Sequence, residues 1–95
     1  MLLADVLVEV LRELGGDNRP LHRSRIIPLA EQRWRALGNT IKGDFGQTVS
    51  ATIQEYSSDS SEWKKKPGGE DLFGMHKVRG QSGYYSLHSP TLAQL

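Results

Sequence analysis

Leu3, Val6, Leu7, Val10, Leu11 and Leu14 recur at steps of three and four residues, the spacing that lines one face of a helix. Asp5, Glu9, Arg12 and Glu13 interrupt them, so the segment reads as an amphipathic helix and fails as a signal-peptide core. Gly15-Gly16 stops it, and Asp17, Asn18 and Pro20 predict a loop. Ser24 is a good N-cap for a second helix, which puts Pro28 at the edge of the first turn, where a missing N–H matters least. Ile26, Ala30, Trp34 and Leu37 form its stripe, and Gly38-Asn39 ends it. Asp44 caps a third helix, with Gln47 three residues on in a capping-box-like arrangement. Phe45, Val49, Ile53 and Tyr56 share one face of that helix.

The period then changes. Ser57 to Asp71 is rich in Ser, Lys and Gly and reads as a loop. Leu72 to Val78 and Tyr84 to His88 read as two strands joined by the turn Arg79-Gly80-Gln81-Ser82-Gly83. Phe73 and Met75 alternate on the first, Tyr85 and Leu87 on the second, and Tyr84 points to the face opposite Tyr85. Three helices followed by a two-stranded hairpin is an α+β arrangement, the order of a winged helix. Helices 2 and 3 then form the helix-turn-helix pair and the hairpin forms the wing. The connection over 38–43 is longer than in the tightest such motifs. The domain is expected over residues 1–88, with 89–95 a tail or the start of a linker.

Ninety-five residues suffice for one modest core and not for a core plus a deep enzyme cleft. No apolar run is long enough to span a membrane. There is no cysteine, which excludes disulfides and cysteine-ligated zinc and fits a cytoplasmic, DNA-associated setting. The net charge of +1 conceals a block pattern. Residues 19–42 carry Arg19, Arg23, Arg25, Arg33, Arg35 and Lys42 against Glu31 alone, and residues 63–95 are also basic. The segments 1–18 and 43–62 are acidic. If the basic blocks meet in space they make one positive face on a nearly neutral molecule.

That face and the outer side of helix 3 carry the candidate chemistry. Gln47, Thr48, Ser50 and Ala51 are short, uncharged and suited to reading base edges in a major groove, where an ordinary solvent face would carry Lys and Glu. Trp63, in the polar loop, either covers the core edge or stacks on a base. Arg19, Arg23 and Arg25 surround the start of helix 2 and suit phosphate oxygens. Lys42, Lys64, Lys65 and Lys66 are further phosphate contacts, and Arg79 at the hairpin tip can enter a minor groove. The three histidines show no metal-ligand spacing, no nucleophile elbow or phosphate loop is present, and no cofactor or catalytic residue is expected. The sequence offers no cluster of aromatics from which to build a flipped-base pocket.

Ser50 to Ser60, with its Ser-Ser-Asp-Ser turn, together with Asp71-Leu-Phe73 and Gly83-Tyr-Tyr-Ser-Leu87, resembles a bacterial winged-helix family. Its domains accompany HNH and other nucleases in restriction systems and are related in layout to HARE-HTH domains. The resemblance covers roughly residues 3–88 and departs from the pattern at Tyr85, where many relatives carry Trp, and in Lys64-Lys-Lys66. It implies a non-catalytic reader of duplex DNA, with N6-methyladenine the favoured mark, and a nuclease as fused or partner domain. The alternative is a winged helix that docks another protein without reading bases, which an exposed apolar patch on helix 3 would favour.

Overall fold

A computed structural model of the chain describes residues 2–57 and 71–88. It is α+β, with three helices and one three-stranded antiparallel sheet. The elements run α1 (Leu3–Glu13), β1 (Leu21–His22), α2 (Arg23–Ala36), α3 (Phe45–Glu55), β2 (Phe73–Val78) and β3 (Gln81–Leu87). Among the described residues no helix is long and apolar enough to cross a membrane.

The expected stripes are largely the buried ones. In α1, Val6, Leu7, Val10 and Leu11 are sealed, and in α3, Phe45, Val49 and Ile53 face the same core. From α2 come Ile26 and Ala30, with Trp34 partly buried at the edge. Leu37 does not complete that stripe: it is the C-cap residue and stands 52% exposed. Ile41 packs on the core instead, anchoring the connection between α2 and α3.

The start of α2 differs from expectation. His22 is the N-cap, and its ring Nδ1 accepts from the Ser24 amide at 3.2 Å and lies 2.8 Å from the Ser24 hydroxyl. Pro28 therefore lies beyond the first turn, and the Ser24 carbonyl loses its helical donor. An interior proline costs about 3 kcal/mol. Complete burial of Ile26 returns about 1.5–3 kcal/mol, the same order, so tertiary packing holds a helix that local preference alone would interrupt.

The sheet has a strand more than the hairpin expected from the pattern. Leu21 and His22 pair with Tyr85 and Tyr84, giving the order β1-β3-β2. Two residues are too few to show a period of two. The hairpin is also tighter than the five-residue turn read from the sequence. Val78 pairs with Gln81, so Arg79-Gly80 alone makes the turn, and both have positive φ, 52° and 79°. That is the type I′ geometry that matches strand twist. Between the pairs His76–Tyr84 and Val78–Gln81, Lys77 faces both Ser82 and Gly83, a β-bulge, and Gly83 absorbs it at φ +92°.

One face of the sheet closes the core. Phe73 pairs with Leu87 and Met75 with Tyr85, and Phe73, Tyr85 and Leu87 are buried as the alternation predicts. Leu72 and Phe73 both donate their amides to the Tyr56 carbonyl, at 2.8 and 3.3 Å, tying β2 to the exit of α3. Ser57, read as the first residue of a polar loop, is buried and donates its hydroxyl to the Ile53 carbonyl at 2.6 Å. Leu87 donates to Gly16 at 3.0 Å, which fastens β3 to the end of α1.

Arg79 is a non-glycine residue in the left-handed region, a conformation that costs an L-residue about 1–2 kcal/mol. Glycine removes that strain and adds back about 0.5–1 kcal/mol of chain entropy. Arg79→Gly is expected to raise the unfolding free energy by about 0.5–1 kcal/mol, read as a higher urea midpoint at unchanged slope. A lower midpoint would show that the Arg79 side chain supports the hairpin in some other way.

Candidate nucleic-acid interface

Asp44 sets the direction in which α3 leaves its loop. Its carboxylate accepts from the amides of Gly46 and Gln47, at 2.9 and 3.3 Å, as the cap position predicts. No reciprocal bond from the Gln47 side chain accompanies it among the described residues, and Gln47 is exposed. Gly46 lets α3 approach α2, since a Cβ there would meet Ile27 Cδ1 at 3.3 Å.

The expected reading residues do share one side of this helix. Gln47, Thr48 and Ala51 are exposed, and Ser50 is half-buried behind them. The Thr48 hydroxyl donates to the Asp44 carbonyl at 3.2 Å, so its oxygen can only accept from a ligand, beside the methyl. The patch carries no charge and no large apolar side chain. Among the described residues the exposed large hydrophobics are Leu2 and Leu37, neither on α3.

The cations divide into two sets. Arg33 is paired with Glu13 of α1, and Arg35 lies 3.4 Å from Glu31 within α2. Both pairs are exposed, and such pairs contribute little, about 0–1 kcal/mol. They nonetheless engage the cations of the last turn of α2. Arg19, Arg23, Arg25, Lys42 and Arg79, like Arg12 and Lys77, are exposed and have no ion pair among the described residues. Arg23 and Arg25 occupy the first turn of α2, which holds no acid. Two cations at the positive end of a helix dipole oppose folding and suit an anion.

One junction between the two basic blocks is visible. The Arg23 side chain lies over the bulge of β3, with Cδ 3.6 Å from the position a Cβ on Gly83 would take. The N-terminus of α2 and the hairpin, distant in sequence, therefore share a surface. Lys77 stands on the same hairpin, exposed, a cation the candidate set had omitted. Its place on a strand facing the bulge is what brings it in, and that register was not legible beforehand. Trp63, Lys64, Lys65 and Lys66 lie outside the described residues, as do residues 89–95. No protein-family model, curated protein or solved structure matches the chain.

Asp44→Ala removes the acceptor for two amides at the start of α3. A loss of about 1 kcal/mol of stability is expected, the usual cost of deleting such a cap, measured by chemical denaturation. Asp44→Asn should recover most of it. If Asp44→Ala is as stable as the parent, packing rather than the cap sets the start of α3.

Proposed function

We propose that the chain is a winged-helix module that binds duplex DNA, with α2 and α3 as its helix-turn-helix pair and β2–β3 as its wing. The observation that carries this reading is the pairing of two surfaces. One is the uncharged exposed side of α3 formed by Gln47, Thr48 and Ala51. The other is the set of unpaired cations at the start of α2 and on the hairpin, joined where Arg23 overlies Gly83. A base-reading helix needs the first, and phosphate positioning needs the second. The order of elements, three helices and then a hairpin, supports the same assignment. A protein-docking role would call for apolar groups on α3, and the exposed ones lie elsewhere.

In this reading Gln47 pairs with a base edge, Ser50 and Ala51 let the helix backbone approach, and Arg19, Arg23, Arg25 and Lys42 hold phosphates. Arg79 follows the groove beside the wing. The domain performs no catalysis itself. Its service to a nuclease, and its preference for N6-methyladenine, rest on the family resemblance of Ser50–Ser60 and of the hairpin sequence. A physical route for the mark is available on α3. The Thr48 methyl and Ala51 form a small apolar surface, and burying one methyl is worth about 0.8 kcal/mol, roughly a fourfold preference. Larger discrimination requires a polar group that is satisfied only when the mark is present.

Two measurements test the reading. In a titration against duplex at several salt concentrations, log affinity should fall linearly with log salt, by about 0.9 per phosphate neutralised. Arg23→Ala should weaken all duplexes alike and lower that slope by about 0.9, whereas Gln47→Ala should relax discrimination between sites by about 1–3 kcal/mol. A flat salt dependence would reject duplex binding. In competition between otherwise identical duplexes, the adenine-methylated one should win over unmodified and cytosine-methylated ones by about fourfold or more. Equal competition by all three would leave a plain DNA binder.

A further inference from the structure

The two faces of the sheet are unlike. One is buried and apolar. The other carries His22, Tyr84 and His76 in a single transverse row, because His22 and His76 are both register partners of Tyr84, one from each side. No two of these three residues are neighbours in sequence. His22 and Tyr84 meet edge to face, with ring centroids 5.0 Å apart and planes at 66°. His76 is exposed and its Nε2 lies 2.7 Å from the Ser86 hydroxyl, while His22 and Tyr84 are half-exposed. The three residues span three strands at a spacing of about 4.8 Å, with Tyr84 in the middle.

The residues around the row leave it open and charge its rim. Gly74, the partner of Ser86, has no side chain. A Cβ there would stand 3.0 Å from both His76 Nε2 and Ser86 Oγ. Gly83 is bare in the same way beside His22 and Arg23. A cleft of about 200 Å³ lies between the Gly16–Pro20 loop and His76 and Ser86, with Arg19 and Asp17 at its wall. That space is several times the ~30 Å³ share of one water molecule. Arg19 and Arg23 have no ion pair among the described residues, and Asp17 is the one acid lining the cleft.

We infer that this outward sheet face is a stacking platform for an unpaired nucleobase, with Tyr84 as the stacking ring and Arg19 and Arg23 holding the adjoining phosphates. Aromatic rings within a positively charged groove are the elements by which unpaired strands are bound without base pairing. Cations on the rim and hydrogen-bonding ring edges fit a base and its phosphate better than an apolar peptide. The platform rests on the nucleic-acid reading above and adds to it a second ligand state: a single strand, or a base taken out of a duplex. It is separate from α3, which reads paired bases.

The test is fluorescence anisotropy with a labelled single-stranded oligothymidylate at low salt, alongside the duplex titration. The parent protein should bind the single strand, and Tyr84→Leu should weaken that binding by about fivefold or more, the loss of one base–aromatic stack. Tyr84→Phe should retain it, because the ring face and not the hydroxyl makes the contact. Gln47→Ala, on α3, should leave it unchanged. The ring protons of His22 and His76 should move upfield in the proton spectrum of the parent as oligothymidylate is added. That measurement decides the matter if Tyr84→Leu fails to fold. Absence of single-strand binding, an unaltered affinity in a folded Tyr84→Leu, or unshifted histidine protons would overturn the platform. Single-strand binding lost on Tyr84→Leu in a protein that ignores duplex would uphold the platform and remove the duplex reading.

Discussion

Burial of Phe73 is the contact on which the arrangement depends. It is the largest fully buried side chain among the described residues, and it comes from the strand, not from a helix. Three helices of this length leave an open side to their core, and Phe73 with Leu87 and Tyr85 closes it. A buried aromatic of this size contributes about 1.5–3 kcal/mol by removal from water alone. It acts jointly with the double hydrogen bond of the Leu72 and Phe73 amides to Tyr56. Apolar closure and backbone pairing thus hold the same junction, between the end of α3 and the start of β2.

That junction determines what the exposed surfaces can be. With the apolar sides of α3 and the sheet spent on one core, Gln47, Thr48 and Ala51 are left outside on the helix, and His22, Tyr84 and His76 outside on the sheet. The two-residue strand β1 matters more than its length suggests. It brings His22 beside Tyr84, and the same His22 caps α2, so the helix bearing Arg23 and Arg25 starts from the sheet edge. The cap brings no carboxylate to that place, where an aspartate would have been at least as good for the helix. The consequence is an undiluted positive charge at the start of α2.

Electrostatics divide the helix in the same direction. The arginines near its C-terminus are answered by Glu13 and Glu31, and those at its N-terminus are not. A helix optimised for stability alone would be arranged the other way round, with acids in the first turn and free cations in the last. The left-handed Arg79 is a local cost at the hairpin turn. The Arg23 side chain lies against the bulge at Gly83, so the unanswered charge at the start of α2 and the irregular part of the hairpin adjoin one another.

The helices were legible in the sequence because their signal is local. A stripe at steps of three and four, a glycine stop and an aspartate cap each act within one or two turns, so α1, α3 and most of α2 follow from the residues themselves. The alternation of Phe73, Met75, Tyr85 and Leu87 is equally local and correctly assigned the inner face of the hairpin. The uncharged side of α3 was readable for the same reason. What the sequence could not hold was register. Whether Leu21 and His22 join a sheet depends on residues more than sixty positions later, and two residues carry no period. With β1 unseen, His22 was not a cap, Pro28 was placed two residues too early in the helix, and the aromatic row across the sheet had no reason to exist. Tertiary pairing decided all three, because hydrogen bonds between strands join residues that no local pattern connects.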